Sequence, residues 1–196
     1  MDGRGKYFNQ IINGLWALCE TTYWGLSATT DLQRCGPGLP DIKESIIELR
    51  VGEVANLLSW TYYFFHSEFD KRSKRINERI EYEINRRILE PYYSRNNFWW
   101  IGFNGGFVNN RNPWCNYNVL TAIVLFENDP VKRQDGILKT MSSVDYFINY
   151  YKKDGACEEG VTYWKHTGGK LYEYLLLLQA ISKKKLIFLI SPLSKT

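Results

Sequence analysis

Apolar residues recur at helical spacing along most of this chain and almost nowhere at the two-residue spacing of a half-buried strand. Phe8, Ile11, Ile12, Leu15, Trp16 and Leu18 predict a first helix over 7–19, running into an aromatic loop at Glu20-Thr21-Thr22-Tyr23-Trp24-Gly25. Two prolines and two glycines between Cys35 and Pro40 exclude helix there, and Asp41 is placed to cap the next helix. The run from Ile42 to Phe65, through Ile46, Ile47, Val51, Val54, Leu58 and Tyr62, reads as one long helix. A more charged helix is predicted from Asp70 to Leu89, ending at Glu90-Pro91 because the residue before a proline avoids helical backbone. Its alternating Arg, Lys and Glu mark a solvated outer face. Asn96 to Phe107 forms a loop rich in aromatics, and further helices are predicted over 115–127, 131–151 and 168–182.

This pattern specifies an all-α fold of stacked antiparallel helix hairpins, without a visible internal repeat. A chain of 196 residues suffices for one domain with a large core. The apolar stretch after Lys185 is shorter than the roughly 20 residues that span a bilayer, so no membrane partner is expected. A formal net charge of only +4, with cations scattered among acids, lacks the basic field of a nucleic-acid binder. Aromatics change the picture more: at 16% of the chain, with 7 Trp and 14 Tyr, they exceed what such a core requires, so some are expected to face a ligand.

Cys19, Cys35, Cys115 and Cys157 are widely spaced and form no CxxC pair, which argues against a zinc or redox motif. Free buried thiols are the simpler reading, with a Cys115–Cys157 disulfide as the alternative. No metal-ligand spacing is present, and neither metal nor cofactor is expected. The first residues lack the apolar stretch of a secretory signal.

The candidate chemistry lies in two segments, Asn109-Asn110-Arg111-Asn112-Pro113-Trp114-Cys115-Asn116 and Asp154 to Trp164, the latter containing Glu158-Glu159-Gly160-Val161-Thr162-Tyr163-Trp164. Each stands at the start of a helical pattern and mixes aromatic rings with short amides or carboxylates. That combination suits a sugar, which has apolar ring faces edged by hydroxyls.

These segments resemble the toroid domain of the heparinase II/III-like polysaccharide lyases, where an Asn-Asn-Trp-Asn type motif opens one inner helix and a Glu-Gly-x-x-Tyr-Trp motif a later one. Here the matching residues are Asn109, Asn110, Asn112, Trp114 and Asn116, then Glu158, Glu159, Gly160, Tyr163 and Trp164. Arg111 departs from the family's usual Trp, and Val161-Thr162 and Lys165-His166 replace small residues around the Tyr-Trp pair. The resemblance implies part of an (α/α) toroid over 1–182, with 183–196 a tail that precedes a β-sandwich domain. It also implies a periplasmic or secreted location and an acidic polysaccharide or oligosaccharide as partner.

The implied activity is β-elimination on a uronate. Such an enzyme removes the C5 proton, made acidic by neutralising the neighbouring carboxylate, and expels the oxygen on C4. By resemblance Tyr163 is base and acid, Asn109 or Asn110 neutralises the carboxylate, and Glu159 or Glu158 supports them by hydrogen bonding. Trp114, Trp164, Trp100, Asn116 and His166 are expected to bind substrate, with His166 one turn beyond Tyr163. Plainer roles exist for each: Asn109 and Asn110 suit helix caps, Glu158 and Glu159 suit a helix dipole, His166 suits a surface, and Tyr163 and the tryptophans suit a core. Two other functions fit the same residues, a glycoside hydrolase using Glu158 or Glu159 as acid, and a non-catalytic carbohydrate-binding toroid.

Overall fold

Helix α1 (Phe8–Glu20) buries Leu15 and Cys19 and ends where Thr21 turns extended. The Trp24 indole N–H then donates to the Leu18 carbonyl at 2.8 Å, satisfying one of the C-terminal acceptors that a helix leaves open. The structure is a computed structural model that describes residues 5–152, 154–156 and 159–183. Among the described residues all regular elements are helical, so the all-α reading holds.

Helix α2 (Leu49–Arg72) starts later than the periodicity predicts. Residues 42–48 stay outside it because Ile46 and Ile47, adjacent in sequence, are both buried, and the Ile47 carbonyl accepts the Trp100 indole N–H at 2.8 Å. Glu48, rather than Asp41, is the cap, its Oε1 accepting the Val51 N–H at 2.9 Å. Asp41 instead accepts the Lys43 N–H at 2.9 Å in a local turn. At the other end α2 passes through Asp70, and Ser73 both stops it and caps α3 (Lys74–Ile84).

Pro91 does not end the next helix, contrary to the sequence expectation. The ladder widens to a π turn over Asn85–Leu89, with the Glu90 N–H donating to the Asn85 carbonyl, and continues as α4 (Glu90–Ser94). Taking in one extra residue just before the proline displaces the carbonyl its ring would strike, so the helix bypasses the residue instead of breaking.

A short 3₁₀ turn at Trp99–Ile101 leads to α5 (Arg111–Phe126), α6 (Pro130–Tyr150) and α7 (Val161–Ile181). Asp129 caps α6, accepting the Val131 N–H at 2.8 Å, with Pro130 at its first turn. Helix α7 begins at Val161, well before the predicted 168; Gly168-Gly169, poor helix formers, lie inside it and hide its first two turns from propensity reasoning.

Side-chain contacts fix the helix directions. Gly52 meets Asn118 and Asn56 donates to Thr121 at 3.2 Å, so α2 and α5 advance in step. Trp114 meets His166 and Tyr117 meets Lys170, so α5 and α7 do the same. Tyr62 pairs with Glu81 and His66 with Asn77, whereas Asn112 bonds Ser143 and Gly136 approaches Ile123, so α3 and α6 run back against this row. The architecture is therefore two antiparallel hairpins, α2–α3 and α5–α6, with α7 extending the parallel row α2–α5–α7.

Helix α5 is the centre, buried from Cys115 to Ile123. One apolar cluster joins α1, α2, α3 and the near side of α5, and a second joins Tyr117 and Leu120 to Val144, Tyr174 and Leu178 across α5, α6 and α7. The Thr140 and Tyr174 hydroxyls bond at 2.9 Å to tie α6 to α7. Among the described residues no helix is long and apolar enough to cross a membrane.

Gly52 allows the α2–α5 approach: a Cβ there would stand 2.7 Å from Asn118 Nδ2 and 3.2 Å from Asn118 Cβ, and Asn118 is fully buried. Gly52→Ala is expected to destabilise the fold by about 1–3 kcal/mol through overpacking, although alanine is the better helix former. Urea denaturation checks this; an unchanged or raised midpoint would mean that the two helices separate at no cost.

Candidate functional site

The Asn-rich segment divides between two jobs because successive residues of a helix point in different directions. Asn112 and Asn116, one turn apart, face inward and are fully buried. Asn112 Nδ2 donates to the Trp100 carbonyl at 2.8 Å and to the Ser143 carbonyl at 3.0 Å. Asn116 Nδ2 donates to Ser143 Oγ at 2.9 Å, and that hydroxyl donates to the Ile101 carbonyl at 2.8 Å. This network clamps the aromatic loop and α6 onto α5. Two expected substrate-binding residues are thereby reassigned. Asn116 is sealed inside the clamp, and Trp100, 1% exposed, stacks on Phe98 at 5.8 Å with its N–H bound to Ile47, leaving no face for a sugar.

Asn109 faces outward. Its Oδ1 accepts the Arg111 N–H at 3.1 Å, helping start α5, while its Nδ2 donates to Glu159 Oε1 at 3.3 Å. It therefore stands just before the N-cap of α5 and reaches across to the second segment. Asn110 is buried and makes no capping bond with its side chain. Arg111 lays its guanidinium 5.2 Å from the Trp99 ring centroid, a cation–π contact.

Glu159 precedes the cap residue Gly160, whose φ of 84° suits glycine, and so stands just outside the first turn of α7 and not within it. Glu158 and Cys157 lie outside the described residues, as does the tail from 184 to 196. On α7, Tyr163, His166 and Lys170 share one face at three- and four-residue steps. Tyr163 is 45% exposed, its ring centroid 6.3 Å from that of His166. Trp164 is turned about 100° around the helix from Tyr163 and is 55% exposed. It belongs to the opposite rim of the buried face.

The two segments meet through Trp114. Its indole stacks on His166 at 5.5 Å with an interplanar angle of 16°, and Lys170 Nζ lies 5.6 Å from its centroid and 5.0 Å from that of Tyr117. From α2, Glu53 accepts the Trp114 N–H and faces Lys170 at 3.7 Å; Lys170 also pairs with Glu173 at 3.0 Å. Sequence reading missed Glu53, Lys170 and Tyr117. The available signals were faint: Glu53 is the lone acid in the apolar first turns of α2, and Lys170 falls two turns after Tyr163 on the same face.

The result is an exposed strip across the first turns of α5 and α7, with Glu53 of α2 at its side. It presents an amide, a phenol, an imidazole and an indole where two parallel helices direct the positive ends of their dipoles, a setting that favours an anionic group. Cys115, beside Trp114 in sequence, points the other way. It is a free thiol, and burial pushes its proton affinity well up, which makes it inert. Cys19 is likewise free and pushed up to about 11 by burial, whereas Cys35 is free and exposed. No group of three or more His, Cys, Asp or Glu side chains suited to a metal gathers among the described residues. No protein-family model matches the sequence, and a comparison with curated proteins finds no match.

Proposed function

We propose that this chain is a lyase-like helical domain, part of an (α/α) toroid, that cleaves uronate-containing polysaccharide by β-elimination at the Asn109–Tyr163 strip. The observation that carries this reading is the meeting of two separate motif segments: Asn109 bonds Glu159, and Trp114 stacks on His166 beside Tyr163. The resemblance to the heparinase II/III-like lyases, drawn from the motifs, points the same way.

In the proposed reaction the substrate carboxylate lies at the Asn109 amide, near the N-termini of α5 and α7. Hydrogen bonding there stabilises the enolate-like charge that grows as C5 loses its proton. Glu159 is a positioning residue that holds the Asn109 amide by accepting from it. Tyr163, as phenolate, takes the C5 proton. The C5–H electron pair becomes the C4–C5 double bond, the C4–O bond breaks, and the departing oxygen takes the proton from the Tyr163 phenol. Of the two asparagines, Asn109 is assigned the carboxylate because Asn110 is buried. Trp114 and His166 supply ring surface for the sugar.

Asn109→Ala is expected to lower kcat on an oligouronate by about 10²–10³, the usual cost of removing one donor to a developing oxyanion. Stability should fall by only about 0.5–2 kcal/mol, the value of a helix cap. Steady-state kinetics together with thermal unfolding check both; a full loss of fold with no separable kinetic effect would reduce Asn109 to a cap.

Hydrolysis is the second reading, and one observation favours it. Glu53 brings a second carboxylate beside the strip that holds Glu159, as a glycosidase requires. Mass spectrometry of the products separates the two reactions. Elimination releases an unsaturated fragment, whereas hydrolysis adds a water across the cleaved bond. Saturated products would overturn the lyase reading.

A further inference from the structure

A small pocket of about 20 Å³ sits between residues 108–110, the end of α6 and the segment that holds Ala156 and Glu159. We infer that it seats an O-acetyl group on the uronate whose carboxylate Asn109 holds, which makes an acetylated uronan the preferred substrate; the inference rests on the lyase reading.

Val108 and Phe147 are buried, and the rings of Tyr150 and Tyr151 with the Ala156 methyl complete an apolar lining. Tyr150 meets Phe107 edge-on at 5.7 Å and Tyr151 packs on Phe147 at 5.0 Å, contacts that hold both rings in place. The charged residues of the lining are Lys152 and Glu159; both are exposed and they are opposite in sign, so the pocket offers no net charge to an anion. One polar group breaks the apolar wall. Asn110 is 4% exposed and lines the pocket, yet its Nδ2 donates to no acceptor among the described residues. A buried amide left unpaired is costly, and a ligand acceptor removes that cost. The lining therefore fits a carbonyl joined to a small apolar group.

Size and position narrow the choice. The pocket exceeds the roughly 10–15 Å³ that one water needs and is far too small for a sugar ring, so its occupant is a substituent. Asn109 and Glu159 also line it, which puts it beside the amide assigned to the substrate carboxylate; the substituent then belongs to the same sugar. On a uronate linked through C4 the free positions are the C2 and C3 hydroxyls. An acetyl ester there brings a carbonyl to accept from Asn110 Nδ2 and a methyl to pack on Val108, Phe147 and Ala156. A methyl ester of the carboxyl would also bring a methyl, but it would keep its carbonyl at Asn109 and leave Asn110 unpaired.

The test compares galacturonate hexamers that are O-acetylated, bare or methyl-esterified, with binding measured by calorimetry in the Tyr163→Phe background so that substrate is not consumed. One hydrogen bond and one buried methyl predict that the acetylated hexamer binds about tenfold more tightly than the bare one. Asn110→Ala removes the donor, and Ala156→Phe fills the pocket from an exposed position. In each variant the acetylated hexamer should fall to the affinity of the bare one, and Ala156→Phe should leave bare-hexamer binding unchanged. Equal binding of acetylated and bare hexamers, a preference that survives Ala156→Phe, a preference for the methyl ester instead, or no binding of any hexamer would overturn the pocket. The lyase reading is judged apart, by unsaturated product from the active chain. Product without an acetyl preference removes the pocket alone, whereas an acetyl preference without product removes the lyase reading and leaves a binding site for acetylated uronans.

Discussion

Glu83→Ala is expected to destabilise the fold by about 3 kcal/mol, the lower end of the cost of breaking a buried ion pair. The Glu83 side chain is 1% exposed and bonds three arginines: Arg87 at 2.6 Å, Arg86 at 2.9 Å and Arg79 at 3.0 Å. Two of these reach back to α1 and the loop after it. Arg79 donates to the Cys19 carbonyl at 2.8 Å, and Arg87 donates to the Thr21 carbonyl at 2.8 Å while its guanidinium stacks 4.3 Å from the Trp24 ring. Removing the carboxylate leaves the buried Arg87 uncompensated and loosens the grip on the α1 terminus. Arg79 and Arg86 are about one-third exposed, and their access to water sets the effect at the lower end. Urea denaturation is the measurement, and a change within about 0.5 kcal/mol would place the cluster among ordinary surface pairs.

The same cluster sets a pH dependence. Burial alone would raise the Glu83 carboxyl, but hydrogen bonds and charge from Arg87 and Arg86 outweigh it and hold the group below the usual carboxylate range. Its contribution to stability is therefore present above the unfolded-state value and is lost as pH falls through the folded one. Burial also pulls Arg87 down from its ordinary value, opposite to the effect of pairing, yet a guanidinium stays charged throughout this range. The carboxylate is thus the group that titrates. Urea midpoints measured on descending into acid should fall for the parent through this window, and the Glu83→Ala chain should lose that segment of the pH dependence.

Helical periodicity made the all-α class and the hairpin order legible, because α1 carries its own apolar stripe and Asp129-Pro130 marks where α5 ends and α6 begins. Elsewhere a tertiary contact overrode a local signal. Ile46 and Ile47 fit a helical pattern in letters, but both sides of an extended segment are buried beside Trp100. Pro91 reads as a stop, yet a π turn lets the chain pass it. Gly168-Gly169 reads as a weak helix start, yet packing of Thr167, Tyr174 and Leu178 holds α7 together across it.

The candidate strip was legible in part for a similar reason. Composition marks the Asn-rich segment but not which side of α5 each residue takes. Asn109 and Trp114 face the strip, whereas Asn112 and Asn116 are spent on a buried clamp. Trp100 carries the same ring as Trp114 and ends in the core because its neighbouring backbone turns it toward Ile47. Glu53 joins Trp114 from a distant part of the chain, and no local pattern announces such a pairing.

Tyr163→Phe carries the largest expected effect on activity. The substitution keeps the ring beside His166, where the centroids stand 6.3 Å apart, and removes only the hydroxyl of a half-exposed side chain, so folding should be untouched. If the phenol moves the proton, its loss should cost roughly the 10²–10⁴ that general acid–base catalysis contributes, with oligouronate binding retained. The decisive measurement is ultraviolet absorbance of the unsaturated uronate product from a panel of acidic polysaccharides, parent against Tyr163→Phe. Elimination by the Tyr163 phenol predicts a signal from the parent that vanishes in the variant; an equal signal from both, or cleavage without a double bond, would contradict it.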